Sequence, residues 1–248
     1  MLTRFSELIG FLLGYPVGLF FALGSLFRHA RFFHPRGLLF CGEVETLPES
    51  PFPLPTHAMI RFSSAWWKHF EWPDVLGVSI RMSDRRVRNV VPYRNDQDLL
   101  FASFGHPWEM FLAPFFTEYK DFLANSYYAV SPFRSRNGEL FDLMLEPSKG
   151  TRSQGDRSEK LFGEVMSGKV VLRLLMKDKN KNAWTMVGKI RLLDELHLNQ
   201  EALRFHPFQS SGEFRPAGFL HYLRFGTYHL SQWARPAESP EARGVVSE

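Results

Sequence analysis

The stretch Ala58-Met59-Ile60-Arg61-Phe62-Ser63-Ser64-Ala65 is the part of the sequence that decides the fold class. It favours an extended strand, and the period-two alternation of a strand places Arg61 and Ser63 on the same face. Seven further runs, enriched in β-branched and aromatic residues and bounded by Gly, Pro or charged turns, recur at short spacing. They cover residues 37–47, 75–82, 98–104, 126–133, 140–146, 170–177 and 184–193. Eight such strands predict an antiparallel β-barrel.

Two helices are expected to interrupt the strands. One covers residues 106–124, where Phe and Tyr residues recur at helical spacing, and the other covers residues 219–235. The polar stretch 148–160 predicts a mobile loop, and residues 178–182 predict the turn of a hairpin. We therefore expect an α+β, mainly β, fold with one principal domain. Its parts are an apolar N-terminal helix or arm at residues 1–30, the barrel domain at 31–236 and a disordered tail at 237–248.

The composition limits the classes of function. The 30 Lys and Arg residues are dispersed among 26 acidic residues, which argues against a nucleic-acid-binding arm. The single cysteine, Cys41, excludes an intrachain disulfide and a cysteine-based zinc site. The sequence contains no Walker loop, dinucleotide fingerprint, zincin motif or nucleophile elbow. We therefore expect no nucleic acid among the partners, and the hydrolase and nucleotide-binding classes lose their usual support.

Residues 8–27 carry no charged side chain, and about twenty apolar residues are enough for a helix to cross the hydrocarbon core of a bilayer. Arg4 precedes this stretch, and three arginines follow it within ten residues. The positive-inside rule then places the body of the protein on the cytoplasmic side, attached to the inner membrane. The alternative is an apolar arm that packs on the domain or on a second subunit of a homo-oligomer.

The segment 223–235, LRFGTYHLSQWAR, carries the most informative pattern. Arg224, Tyr228, Gln232 and Arg235 are spaced by four, four and three residues, which places them on one face of a helix. No acidic residue occurs in this segment to balance the two guanidinium groups. Nearby cations lower the pKa of a phenol, and a phenolate is a hard anionic ligand suited to ferric iron.

This pattern, Arg-x-x-x-Tyr-x-x-x-Gln-x-x-Arg, resembles the proximal heme helix of catalases. The resemblance implies that Tyr228 is the axial ligand of the iron of heme b. It also implies that Arg224 stabilises the phenolate, and that Arg235 contacts a propionate or the ligand. The alternative for Tyr228 is a half-buried helix residue whose hydroxyl meets a protein partner.

The segment Arg31-Phe32-Phe33-His34 is similar to the distal motif of catalases and has the same Arg-x-x-His spacing. The resemblance places His34 on the open side of the iron, where it takes a proton from a peroxide and returns it to the leaving oxygen. Arg31 would pair with a propionate. The alternative for His34 is a turn residue before Pro35.

Two strands complete the resemblance. Ile60-Arg61-Phe62-Ser63 resembles the family's Arg-Phe-Ser strand, in which the arginine binds a propionate and the serine orients the distal histidine. Residues 98–103 resemble the strand on which catalases carry a distal asparagine, and Ser103 takes the equivalent position here. Serine lacks the amide donor, so we expect inefficient disproportionation of hydrogen peroxide.

Together these segments predict a catalase-like heme protein that acts as a peroxidase or metabolises organic hydroperoxides. The chain has no counterpart of the large insertions of catalases, so the heme should admit larger molecules. The apolar stretch 8–27 points to a lipid hydroperoxide as the substrate. The alternatives are a non-catalytic heme- or lipid-binding barrel at the membrane, and a scaffold that binds no heme.

Overall fold

The computed structural model describes residues 37–67, 70–87, 90–106, 109, 112–129, 131–148, 154–179, 181–200, 202–206 and 209–218. Ten strands and three short helical segments lie in these ranges. The strands are β1 (Gly37–Thr46), β2 (His57–Ser64), β3 (Leu76–Ser83), β4 (Gln97–Ala102), β5 (Tyr127–Ala129), β6 (Phe133–Ser135), β7 (Leu140–Pro147), β8 (Val171–Asp178), β9 (Thr185–Glu195) and β10 (Phe214–Pro216). The helical segments are α1 (Ala113–Phe116), a 3-10 turn (Phe122–Ala124) and α2 (Arg157–Met166).

Eight strands close into an antiparallel barrel. Their order is β7-β5-β4-β3-β2-β1-β9-β8, and β8 pairs with β7 to complete the ring. The short strands β6 and β10 continue outward from β7 and are not part of the ring. The prediction of a mainly β protein with an eight-stranded antiparallel barrel is therefore confirmed.

Alternating side chains from the barrel strands fill the interior. On β2 these are Ala58, Ile60 and Phe62, and on β3 they are Leu76, Val78, Ile80 and Met82, all of which lie in one buried cluster. Two residues of α2, Leu161 and Val165, belong to the same cluster, so this helix packs onto the barrel core. The remaining side chains of β2 and β3 lie on the outer face of the barrel.

The two ends of the barrel carry different connections. At the end where β1 begins, the connections are residues 65–75, 103–126 and 148–170. We call this the entry end. At the far end, residues 84–96 join β3 to β4 and residues 179–184 join β8 to β9. The predicted hairpin turn at 178–182 lies here, and the amide of Lys181 donates to the carbonyl of Asp178.

The predicted helix over residues 106–124 is wrong in its described part. Only Ala113–Phe116 is α-helical, and Thr117 has extended backbone angles. The side-chain amide of Asn125 donates to the backbone carbonyls of Glu118 and Asp121. These carbonyls therefore bond to a side chain, whereas in a continuous helix they would bond to backbone amides. The phenylalanines at helical spacing therefore belong to a short helix, turns and a 3-10 segment.

The predicted mobile loop at 148–160 is wrong at its end, because α2 begins at Arg157. The Asp156 carboxylate accepts hydrogen bonds from the amides of Ser158 and Glu159, and the Glu159 carboxylate accepts from the amide of Asp156. This capping box starts the helix. The predicted strand 126–133 is divided as well, into β5 within the barrel and β6 outside it.

No helix in the described ranges is long and apolar enough to cross a membrane. The predicted N-terminal arm, the helix over 219–235 and the C-terminal tail lie outside the described residues.

Candidate functional site

The outer face of β1–β4 carries two of the predicted site residues, Arg61 and Ser63. Both side chains are buried, at 2% exposure each. Ser63 lies directly opposite Gly37 on β1 and Gly77 on β3, and Gly77 lies opposite Ala102 on β4. Four neighbouring strands therefore present only small residues at the same level, next to the entry end.

The side chain of Arg61 lies against the first residue of β1. A Cβ atom on Gly37 would lie 3.0 Å from Nε and 3.1 Å from Cζ of Arg61, and it would also clash with the carbonyl oxygen of Phe62. A glycine is therefore required at this position for steric reasons. The prediction that Arg61 and Ser63 share a face is confirmed by the register, and both residues lie beside Gly37.

Gln200, in the chain that follows β9, fixes the backbone of Gly37. Its amide nitrogen donates to the carbonyl of Gly37 at 2.6 Å, and its amide oxygen accepts from the Gly37 N–H at 3.1 Å. The next residues along β1 are held too, because the amide of Leu196 donates to the carbonyl of Leu39. The chain after β9 thus holds the start of β1 at two points.

Deeper on the same face, Arg81 and Asp98 form an ion pair with no exposure of either side chain. Arg81 donates from Nε and Nη2 to the two carboxylate oxygens at 2.7 and 2.8 Å. Burial raises the pKa of the Asp98 carboxyl, an effect that the hydrogen bonds from Arg81 oppose. Arg81 also donates to the backbone carbonyls of Val90 and Arg204. Because this pair joins β3, β4 and two loops, we assign it a structural role.

The third predicted site residue in the described ranges, Ser103, has hydrogen-bond partners at the entry end. Its hydroxyl lies 2.8 Å from that of Thr117 and accepts from the amide of Leu76 at 3.1 Å. Strand alternation puts Ala102, and not Ser103, on the outer face with Ser63. The structure thus brings Arg61 and Ser63 together and gives the Ser103 hydroxyl other partners. A catalytic role for Ser103 stays a prediction.

The other predicted site residues, Arg31, His34, Arg224, Tyr228 and Arg235, lie outside the described residues. The described chain enters β1 three residues after His34, at the point where Arg61 and Ser63 meet Gly37. Within the described ranges, no group of three or more His, Cys, Asp or Glu side chains is arranged to hold a metal ion.

Sequence reasoning missed three features of this face. Gly77 and Ala102 complete the row of small residues, and Gln200 holds Gly37. The alternation within β3 and β4 places Gly77 and Ala102 on the outer face. Only the register between the strands shows that they lie level with Ser63. Nothing in the sequence around Gln200 indicates its partner 163 residues away.

Comparison with known proteins identifies no family for this chain. The chain matches no protein-family model, and no curated protein matches its sequence.

Proposed function

We propose that this chain is a heme-dependent enzyme that acts on peroxides, with organic or lipid hydroperoxides as the preferred substrates. Tyr228 is the proposed iron ligand and His34 the proposed distal base. The observation that carries the proposal is the register of β1 with β2. It gathers Arg61 and Ser63 at Gly37, where the segment containing the proposed distal histidine enters the barrel.

The described residues fit this assignment in shape. Gly37, Ser63, Gly77 and Ala102 carry small side chains or none at one level of the outer face, where Arg61 lies beside Gly37 and Ala113 clusters with Ala102. A planar aromatic group needs such a surface if it is to approach the backbone closely. The adjacent Arg61 guanidinium is suited to a carboxylate, since its fork of donors matches the two carboxylate oxygens.

The proposed chemistry divides among residues of this chain. Heme, when bound, supplies the redox chemistry of the reaction. His34 takes the proton of the hydroperoxide and returns it to the leaving oxygen, which is general acid and base catalysis. Ser63 orients His34, Arg61 and Arg31 pair with propionates, and the phenolate of Tyr228, stabilised by Arg224 and by Arg235, holds the metal.

The surroundings of Ser103 favour a peroxidase over an efficient catalase. Its hydroxyl is used by Thr117 and the Leu76 amide, and the neighbouring outer-face residue, Ala102, has no polar side-chain atom. The proposed distal side therefore relies on His34 as its main hydrogen-bonding group. Rapid disproportionation of hydrogen peroxide needs more than one such group, so we propose slow turnover of hydrogen peroxide and faster turnover of an organic hydroperoxide.

Tyr228→Phe, compared with Tyr222→Phe, tests the proposed ligand. Both are single hydroxyl deletions in one segment, and in the helix predicted from the sequence only Tyr228 would share a face with Arg224 and Arg235. We expect the hemin-supplemented protein and Tyr222→Phe to share a ferric Soret band with phenolate features, and Tyr228→Phe to lose those features. Identical spectra for all three proteins, or no bound heme, would contradict the assignment.

Turnover separates an enzyme from a heme or lipid carrier. We expect the heme-loaded protein to oxidise a reductant with cumene hydroperoxide faster than free hemin does, and His34→Gln to lose about 10²–10⁴-fold in rate, as for a general acid-base residue. A rate equal to that of free hemin would point to the carrier.

A further inference from the structure

Exposed apolar side chains are concentrated at the entry end of the barrel. In the described part of the chain, nine large hydrophobic side chains are exposed, and seven of these lie in the connections of the entry end. They are Phe70, Trp72, Leu112, Phe115, Phe116, Phe162 and Met166. The other two, Val91 and Tyr93, lie in the β3–β4 connection at the far end.

Five of the seven lie on two connections that pack together at the entry end, and we call these five the aromatic rim: Phe70, Trp72, Leu112, Phe115 and Phe116. Its two halves are the β2–β3 connection and α1. They are packed together at the base, because Ala113 of α1 lies in one buried cluster with Ala65 and Val75. The rings of Phe70 and Trp72 stack with their centroids 5.4 Å apart.

A buried arginine joins the two halves of the rim from below. Arg157, at the start of α2, donates to the carbonyls of Trp67 and Phe70 in one half and to the carbonyl of Tyr119, just after α1, in the other. Its own amide donates to the Glu71 carboxylate at 2.6 Å. The rim is thus held on a fixed base, while its side chains remain outside: Phe115 and Phe116 are 75% and 83% exposed.

The amino-acid sequence indicates what covers this rim. Residues 8–27 carry no charge, and only nine residues separate them from Gly37, where β1 begins at the entry end. Nine residues span at most about 30 Å. A bilayer that takes up residues 8–27 therefore lies within this distance of the entry end. The far end is separated from it by the length of the barrel.

We propose that the aromatic rim docks on the surface of a phospholipid bilayer and inserts its side chains into the interfacial region. Tryptophan is enriched at that depth, and exposed apolar patches of this kind mark interaction sites. The carboxylates of Glu71 and Glu118 already accept backbone hydrogen bonds, and the ammonium group of Lys160 donates to the carbonyl of Lys120. With charges of both signs present, the docking relies on apolar insertion, and an uncharged lipid headgroup is sufficient. This inference does not rest on heme binding.

An environment-sensitive fluorophore at two matched positions tests the docking. In full-length Cys41→Ser, an NBD group is attached at Phe116→Cys on the rim, or at Val91→Cys, an exposed hydrophobic position at the far end, 64% exposed. Phosphatidylcholine vesicles are then added. We expect the emission at position 116 to shift to the blue and to be quenched by nitroxide-labelled lipid, and the emission at position 91 to remain unchanged.

Four results would overturn the proposal. The first is no change at position 116. The second is an emission that is already blue-shifted in buffer at all protein concentrations, which would show that residues 8–27 cover the rim. The third is a blue shift in buffer that grows with protein concentration, which would show that a second copy covers it. Equal changes at positions 91 and 116 would also contradict a docking surface confined to the entry end.

Discussion

At the scale of single residues, Gly37 connects the sequence motif with the fold. It lies three residues after His34 of the Arg-x-x-His segment, opposite Ser63, and packs against Arg61. Gln200 bonds to both of its backbone groups. The position of the proposed site therefore depends on one residue that has no side chain, and any side chain here must push the β1 and β2 backbones apart and crowd Arg61.

Gly37→Ala is expected to lower the free energy of unfolding by about 1–3 kcal/mol, the usual cost of overpacking. The physical reason is the clash of the new Cβ with the Phe62 carbonyl and the Arg61 guanidinium. Under the proposed function it also weakens hemin binding. The measurements are urea unfolding and hemin titration. Gly105→Ala is the control, because its Cβ would meet no atom closer than 3.7 Å. Equal stability of the two variants would show that β1 adapts.

At the scale of elements, the start of α2 shows how the end of a polar stretch that was expected to be a loop becomes structured. The helix begins with a reciprocal capping box between Asp156 and Glu159, and its apolar face covers the barrel core through Leu161 and Val165. Its first turn is important for stability because Asp156 caps it and because it carries Arg157, which donates to the carbonyls of Trp67 and Tyr119.

Asp156→Ala should lower the free energy of unfolding by about 1 kcal/mol, since it removes the N-cap of α2. Hydrogen exchange measured by mass spectrometry should speed up in peptides of α2 and remain unchanged in β2 and β3. Ser158→Ala is the control, because its backbone amide, and not its side chain, is the group bonded to Asp156. Exchange in α2 that does not respond to Asp156→Ala would show that packing alone sustains the helix.

The strands could be predicted from the sequence because alternation and burial coincide in them. β2 was expected at 58–65 and is found at His57–Ser64, and the shared face of Arg61 and Ser63 follows from the period of two. The segment 106–124 could not be predicted in the same way. Its ring spacing is helical, but Pro114, Asp121 and Asn125 end or divert the backbone within a few residues.

The candidate site was predictable only in part, since sequence motifs name residue types and the register decides which of them meet. Ser103 follows the outer-face residue Ala102 by one position, and in a strand one position reverses the direction of the side chain. The bonds of Ser103 to Thr117 and Leu76 depend on a loop whose conformation the sequence pattern misjudged. The contact of Gln200 with Gly37 required the full fold.

At the scale of the whole molecule, three connections of the entry end are joined by one side chain. Arg157 bonds to carbonyls of the β2–β3 connection and of the β4–β5 connection, and it belongs itself to the β7–β8 connection. Its guanidinium also lies 5.9 Å from the centre of the Phe122 ring. The arrangement of the entry end therefore depends on a planar group with several donors.

Arg157→Lys is expected to destabilise the fold by about 2–3 kcal/mol, because a single ammonium group cannot reproduce the hydrogen bonds of a buried guanidinium. Hydrogen exchange should accelerate in both residues 65–75 and residues 112–126, although neither is adjacent to the mutation in sequence. Arg173→Lys serves as the control, since Arg173 pairs with Glu146 on the surface, where such a pair contributes about 0–1 kcal/mol. Acceleration confined to α2 would refute the linkage.

The placement of β1 has a mechanical consequence. This strand is bonded to β2 on one side and to β9 on the other, and the amide of Gln200 is bonded to its first residue. Tension applied between the chain before Gly37 and the far end of the barrel acts along the strand, whereas the hydrogen bonds lie across it. Both ladders are then loaded in shear and must fail together, not one bond at a time. The barrel is built to resist pulling from its N-terminal side.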